Sequence, residues 1–94
     1  MATYVMMGRY TTQGFQGISA ERTVQARAIF DKHGGTMQSM YGLLGGNDLM
    51  VIADLPDTAA AMKASMAMTK LTGVGFATMP AVDIAEFDRL AAES

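Results

Sequence analysis

Residues 40–54 read MYGLLGGNDLMVIAD, two apolar runs parted by Gly45-Gly46-Asn47-Asp48. Gly and Asn tolerate the positive φ of a chain reversal, so the stretch predicts an antiparallel hairpin. Its second arm, Leu49-Met50-Val51-Ile52-Ala53, is apolar at every position, and a strand of that kind has both faces covered. With 94 residues, half of them hydrophobic, the chain has room for one core and one domain around that strand.

The segments on either side supply the partners. Residues 3–10 form a strand, again apolar on both alternating faces through Val5, Met6 and Met7, and residues 11–17 form a loop carrying Phe15 between glycines. Ser19 offers an N-cap for a helix over 20–33, with Glu21 in its first turn and Gly34-Gly35 at its end. Its spacing predicts Val24, Ala28, Ile29 and Phe30 inward, with Glu21, Arg22, Gln25, Asp31 and Lys32 toward water. In the strand over 36–44, Met37, Tyr41 and Leu43 share one face, and Gln38, Met40 and Leu44 share the other.

After the hairpin, Asp54-Leu55-Pro56-Asp57 stops the strand, Asp57 caps a second helix and Gly73 closes it. Residues 74–82 make the fourth strand, with Pro80 placing that part at an edge. Asp83-Ile84-Ala85-Glu86 opens a terminal helix like a capping box, with Ile84, Phe87, Leu90 and Ala91 at helical spacing. The predicted fold is α+β, a ferredoxin-like βαββαβ unit with an antiparallel four-stranded sheet and an extra C-terminal helix.

In that arrangement the two crossover helices cover one face of the sheet, whereas Val5 to Met7 and Leu49 to Ala53 are apolar toward both. A bare second face would exceed the few hundred Å² of apolar patch that monomers tolerate. We therefore expect a homodimer through the sheet faces, with the terminal helix packed at or across the interface.

Bulk charge narrows the partners. The net charge is -2, only 17% of residues are charged, and the seven basic residues are scattered. No nucleic-acid footprint and no polybasic lipid patch results. The absence of cysteine removes disulfides, thiolate nucleophiles and Cys-ligated metals. The first residues read as a strand and not as a signal peptide, and the most apolar helical stretch contains Lys63 and Lys70 and is too short for a bilayer. A soluble, cytoplasmic protein is the expectation.

YTTQGFQGIS ahead of a helix, the glycine pair at its end, GLLGGNDLMVIADLPD, and GVGFATMPAVDIAEF together resemble the GYD-domain family over nearly the whole chain. That family is similar to the dimeric α/β-barrel proteins, a ferredoxin-like group whose two sheets meet in a dimer, so the resemblance implies a dimeric α/β barrel. Where the signature has Gly-Tyr-Asp, this chain has Gly46-Asn47-Asp48. The resemblance implies that Asp48 keeps a task in the turn, such as accepting backbone N–H groups, while a task of the phenol is lost or moves to Tyr41. Barrel relatives include cofactor-independent monooxygenases, isomerases and haem enzymes, and fold analogy alone selects none of them.

Few residues offer chemistry. His33, the only histidine, falls in the last turn of a helix, where complementing the dipole is the plainer role. Asp48 is a weak candidate for a general base and a better one for turn formation. Arg9 and Tyr41 complete the catalytic candidates, and Tyr4, Tyr10 and Tyr41 are the ligand-binding candidates, although aromatic residues on strands are usually packing units. Met62, Met66 and Met68 read as soft core filling in preference to copper ligation. No metal site or cofactor is predicted, with haem and flavin left open, and no phosphate-loop, nucleophile-elbow or zinc-helix motif occurs. Three functions fit: a dimer binding a small apolar or aromatic molecule in a closed cavity between sheet and helices, a monooxygenase- or isomerase-like enzyme of the same fold, and a structural or regulatory dimerisation module.

Overall fold

Three side-chain caps start the long helices. Ser19 accepts the Arg22 N–H (3.1 Å), Asp57 that of Ala60 (2.8 Å) and Asp83 that of Glu86 (2.8 Å), satisfying donors that have no partner inside the helix. At the far end of the second, Gly73 sits in the left-handed region at φ 73°, a conformation glycine adopts without strain.

In the computed structural model, which describes all 94 residues, the order is β1 (Ala2–Tyr10), α1 (Thr12–Gln16), α2 (Ala20–Lys32), β2 (Thr36–Gly42), β3 (Leu49–Leu55), α3 (Thr58–Thr72), β4 (Val74–Ala81) and α4 (Ile84–Glu93). The strands form one antiparallel sheet in the order β2-β3-β1-β4, which is the ferredoxin-like arrangement. β4 lies at an edge, the position at which a sheet tolerates a residue without an N–H such as Pro80. No helix is long and apolar enough to cross a membrane.

Alternation along the strands builds the core on one side only. Tyr4 and Met6 of β1, Leu49, Val51, Ala53 and Leu55 of β3, Met37 of β2 and Val74 of β4 are buried against Ala26 and Phe30 of α2 and Ala61, Ala64 and Met68 of α3. Met6, Met37 and Met68 are all fully buried, so thioethers do fill this core. The intervening residues, among them Val5, Met7, Met50, Ile52 and Met79, lie on the opposite face, which no helix of the same chain covers.

Four local expectations are corrected. Residues 11–17 are not a plain loop: Thr11 accepts the Gly14 N–H (2.9 Å) and starts the five-residue α1, and Gly14 fits against the end of α3 where a Cβ would strike the Thr72 carbonyl. The inner face of α2 is Ala26 and Phe30, while Val24 and Ala28 face water. In β2 the register slips between Met37 and Ser39, leaving Gln38 as an extra residue. Met37 and Met40 therefore point to the helices, and Tyr41 to the open face opposite Met50. Asp54 does not stop β3, which continues to Leu55, and β2 ends at Gly42, so the reversal spans residues 43–48.

α4 differs from the other long helices. It has no buried residue, and Ile84, Phe87 and Leu90 are 72%, 58% and 46% exposed. Its apolar stripe finds no partner within the chain.

Phe30→Ala should lower the free energy of unfolding in urea by about 3–5 kcal/mol through the cavity it leaves. Val24→Ala, one turn and a half away on the wet side, should change it by less than about 0.5 kcal/mol.

Candidate functional site

The space beneath α2 is packed. Where Tyr10, Ala26, Met40 and Leu49 meet, only about 30 Å³ remains, room for a water or two and not for an aromatic ligand. The expected closed cavity does not form there, because Phe30 and the core methionines occupy the interior.

Room remains instead beside α3. An open cleft of about 320 Å³ separates that helix from the edge of the sheet, walled by Ala61, Met62 and Met66 on one side and Tyr4, Thr78 and Pro80 on the other. The register explains the wall: Thr78 pairs with Met6 and Pro80 with Tyr4, so all four side chains rise from the same face. On α3, Met62, Ser65 and Met66 fall at i, i+3 and i+4 and share the facing stripe. Thr78 Oγ1 donates to Ser65 Oγ (2.9 Å) across the cleft. Tyr4 lines the same floor and makes no side-chain hydrogen bond, so its hydroxyl is free to donate or accept. The lining holds three kinds of hydroxyl and no charged group.

A second, wider groove of about 580 Å³ lies at the other end of the sheet, bounded by Tyr10, Phe15, Met40, Leu43, Leu44 and Asp48 among others. Tyr10 meets Phe15 edge to face at 6.0 Å, and the Arg22 guanidinium lies over the Tyr10 ring at 5.4 Å. Two of its charged groups are bound to the backbone. Asp48 Oδ2 accepts the Tyr10 N–H (3.0 Å), and the Asp48 N–H donates to the Gly8 carbonyl (2.8 Å). The aspartate thus pins the hairpin to the end of β1, and Arg27 Nη1 donates to the Met37 carbonyl (3.1 Å).

The four catalytic candidates do not converge. Asp48 is in this groove, His33 caps the C-terminal end of α2, and Tyr41 and Arg9 lie on the open face of the sheet. The three ligand candidates separate as well, with Tyr4 in the α3 cleft, Tyr10 in the end groove and Tyr41 on the open face. Ser65, Thr78, Met62 and Met66 were not named as cleft residues from the sequence; the i, i+4 spacing of the methionines was the available signal, and their exposure of 59% and 56% corrects their assignment to the core.

One further carboxylate stands out on the open face. Gln38 Nε2 donates to Asp54 Oδ2 and Thr3 Oγ1 to Asp54 Oδ1 (2.8 Å). The Gln38 amide first, and the Thr3 hydroxyl second, hold the Asp54 carboxyl below the usual aspartate range.

A four-stranded antiparallel sheet with two helices on one face, a hairpin pinned by an aspartate and a trailing amphipathic helix defines a ferredoxin-like α+β protein. The chain belongs to the GYD-domain family, whose model matches residues 4–91. No curated protein and no solved structure matches it.

Asp48→Ala, which leaves the Tyr10 N–H without its acceptor, should cost about 1–3 kcal/mol in urea unfolding. Because the folded pKa of Asp54 is depressed, its ionised form stabilises the fold above the unfolded value of about 3.9, and that contribution is lost as pH falls through the folded value. Asp54→Asn should therefore show a flatter decline of melting temperature below about pH 4 than the parent chain.

Proposed function

We propose that the chain acts as a homodimer closed sheet to sheet, each copy binding a small, uncharged, apolar or aromatic molecule in the cleft beside α3. The carrying observation is that cleft: thioether and alkyl walls around the Tyr4, Ser65 and Thr78 hydroxyls, with no charge among its lining residues. An apolar body fits between Met62, Met66 and Pro80, while a carbonyl or hydroxyl on the ligand finds a donor or acceptor at Tyr4. A charged ligand would lose its hydration with nothing to replace it. Catalysis has less support, because the acid-base candidates lie apart and Asp48 is occupied by backbone.

Association follows from the uncovered face. Four strands about 4.8 Å apart, eight residues long at about 3.3 Å each, give a footprint of roughly 500 Å² per copy. Two such faces approach the ~1,000 Å² that a specific interface needs, before α4 adds its stripe.

The binding arm is tested by thermal shift against neutral quinones and phenols, with aromatic acids, flavin and haem as charged comparisons. A neutral aromatic at a hundredfold over its Kd should stabilise the protein by about 2.7 kcal/mol. Met66→Glu should abolish that gain without unfolding the chain, because Met66 is half exposed. No shift with any compound would overturn the binding arm. For the association arm, sedimentation at micromolar concentration should give twice the mass of one chain, and Ile52→Lys, on the open face, should give a folded monomer.

A further inference from the structure

The open face changes character from one end of the sheet to the other. Its first row is Asp54, Thr3 and Ala81, its second Ile52, Val5 and Met79, its third Met50, Met7 and Ala77, and its last Arg9 and Gly75. Ser39 and Tyr41 extend the two middle rows onto β2. A band of apolar side chains is thus bounded by a carboxylate at one end and a guanidinium at the other.

Both charges are available. Asp54 already accepts from Thr3 and Gln38, yet a carboxylate has about four lone-pair sites and takes a further donor readily. Arg9 is exposed and forms no ion pair; the ion pairs of the chain are those of Arg89 with Glu86 and Glu93 on α4. An unpartnered arginine beside an apolar band is costly to cover unless the covering surface brings an acid.

Two facing sheets in aligned packing keep their strands within about 30° of each other, so a two-fold axis runs either along the strands or across them. An axis along the strands brings each end against its own kind, carboxylate over carboxylate and guanidinium over guanidinium. An axis across them stacks the apolar rows equally well and sets the Arg9 end of one copy on the Asp54 end of the other. Stacked sheets are about 10 Å apart, a gap that an arginine and an aspartate reaching from opposite sides close together.

We propose that two copies meet with their strands running in opposite directions, Arg9 of each paired with Asp54 of the partner subunit. This rests on the sheet-to-sheet reading and adds the orientation and the residues that select it. Charge sets the register here, while the apolar band supplies most of the affinity.

Sedimentation equilibrium on the full chain tests it. At low ionic strength Arg9→Glu should raise the dimer Kd about tenfold, the swing expected when two partly exposed pairs turn from attraction to repulsion. The difference should shrink in high salt, and Asp54→Lys added to Arg9→Glu should return Kd to within about threefold of the parent. An unchanged Kd for Arg9→Glu in a protein whose parent chain does dimerise overturns the orientation. So does a mixed dimer of Arg9→Glu with the parent that is tighter than either homodimer, because only like ends facing like would favour the mixture. A parent chain that stays monomeric fails earlier, on the sheet-to-sheet reading, and removes this proposal with it.

Discussion

Everything in this molecule depends on a sheet that is apolar toward both sides while its own helices reach one. α2 and α3 hide Tyr4, Met6, Val51, Ala53 and Val74, and they have no way around the edge to Val5, Met7, Met50, Ile52 and Met79. At about 25 cal/mol per Å² of apolar surface, leaving such a face wet forgoes several kcal/mol. In a chain of 94 residues that is a substantial share of the whole stability. The free stripe on α4 points the same way, since Ile84, Phe87 and Leu90 have nothing of their own chain to pack against.

The helix side carries the second consequence. β4 is an edge strand bearing Thr78 in the row where β1 and β3 carry Met6 and Val51, and Pro80 beside Tyr4 of β1, and these smaller side chains do not fill the gap to α3. Met62 and Met66 flank that gap without closing it, since unbranched thioethers can shift to admit a guest. The end groove is larger, but its carboxylate and its arginine are bound to backbone groups. Free volume by itself does not choose a site; what sets the α3 cleft apart is a lining without charge.

Much of this architecture was legible in the residues. The capping roles of Ser19, Asp57 and Asp83, the left-handed Gly73 and the edge position of Pro80 follow from short-range chemistry that no tertiary context overrides. The face of β2 was not legible, because one extra residue at Gln38 inverts the alternation and leaves no mark in composition. The inward face of α2 was not legible either: Val24 and Ala28 are apolar like the true inner residues, Ala26 and Phe30, and only docking decides among them. The turn role of Asp48 was anticipated, whereas its bond to the Tyr10 amide joins residues 38 apart in sequence. The cleft was least visible, since Ser65 and Thr78 are ordinary residues until α3 is laid across β4.

β1, the first of the four strands in chain order, occupies the centre of the sheet between β3 and β4. Neither neighbour exists when it emerges, and the second, β4, begins only at Val74. During translation the run from Val5 to Met7 therefore waits unpaired until β3 and β4 have been made, offering greasy flanks and open amides to any other nascent chain. Such a topology places its greatest hazard at birth, and slow, non-local closure is the kinetic cost of putting the first strand in the middle.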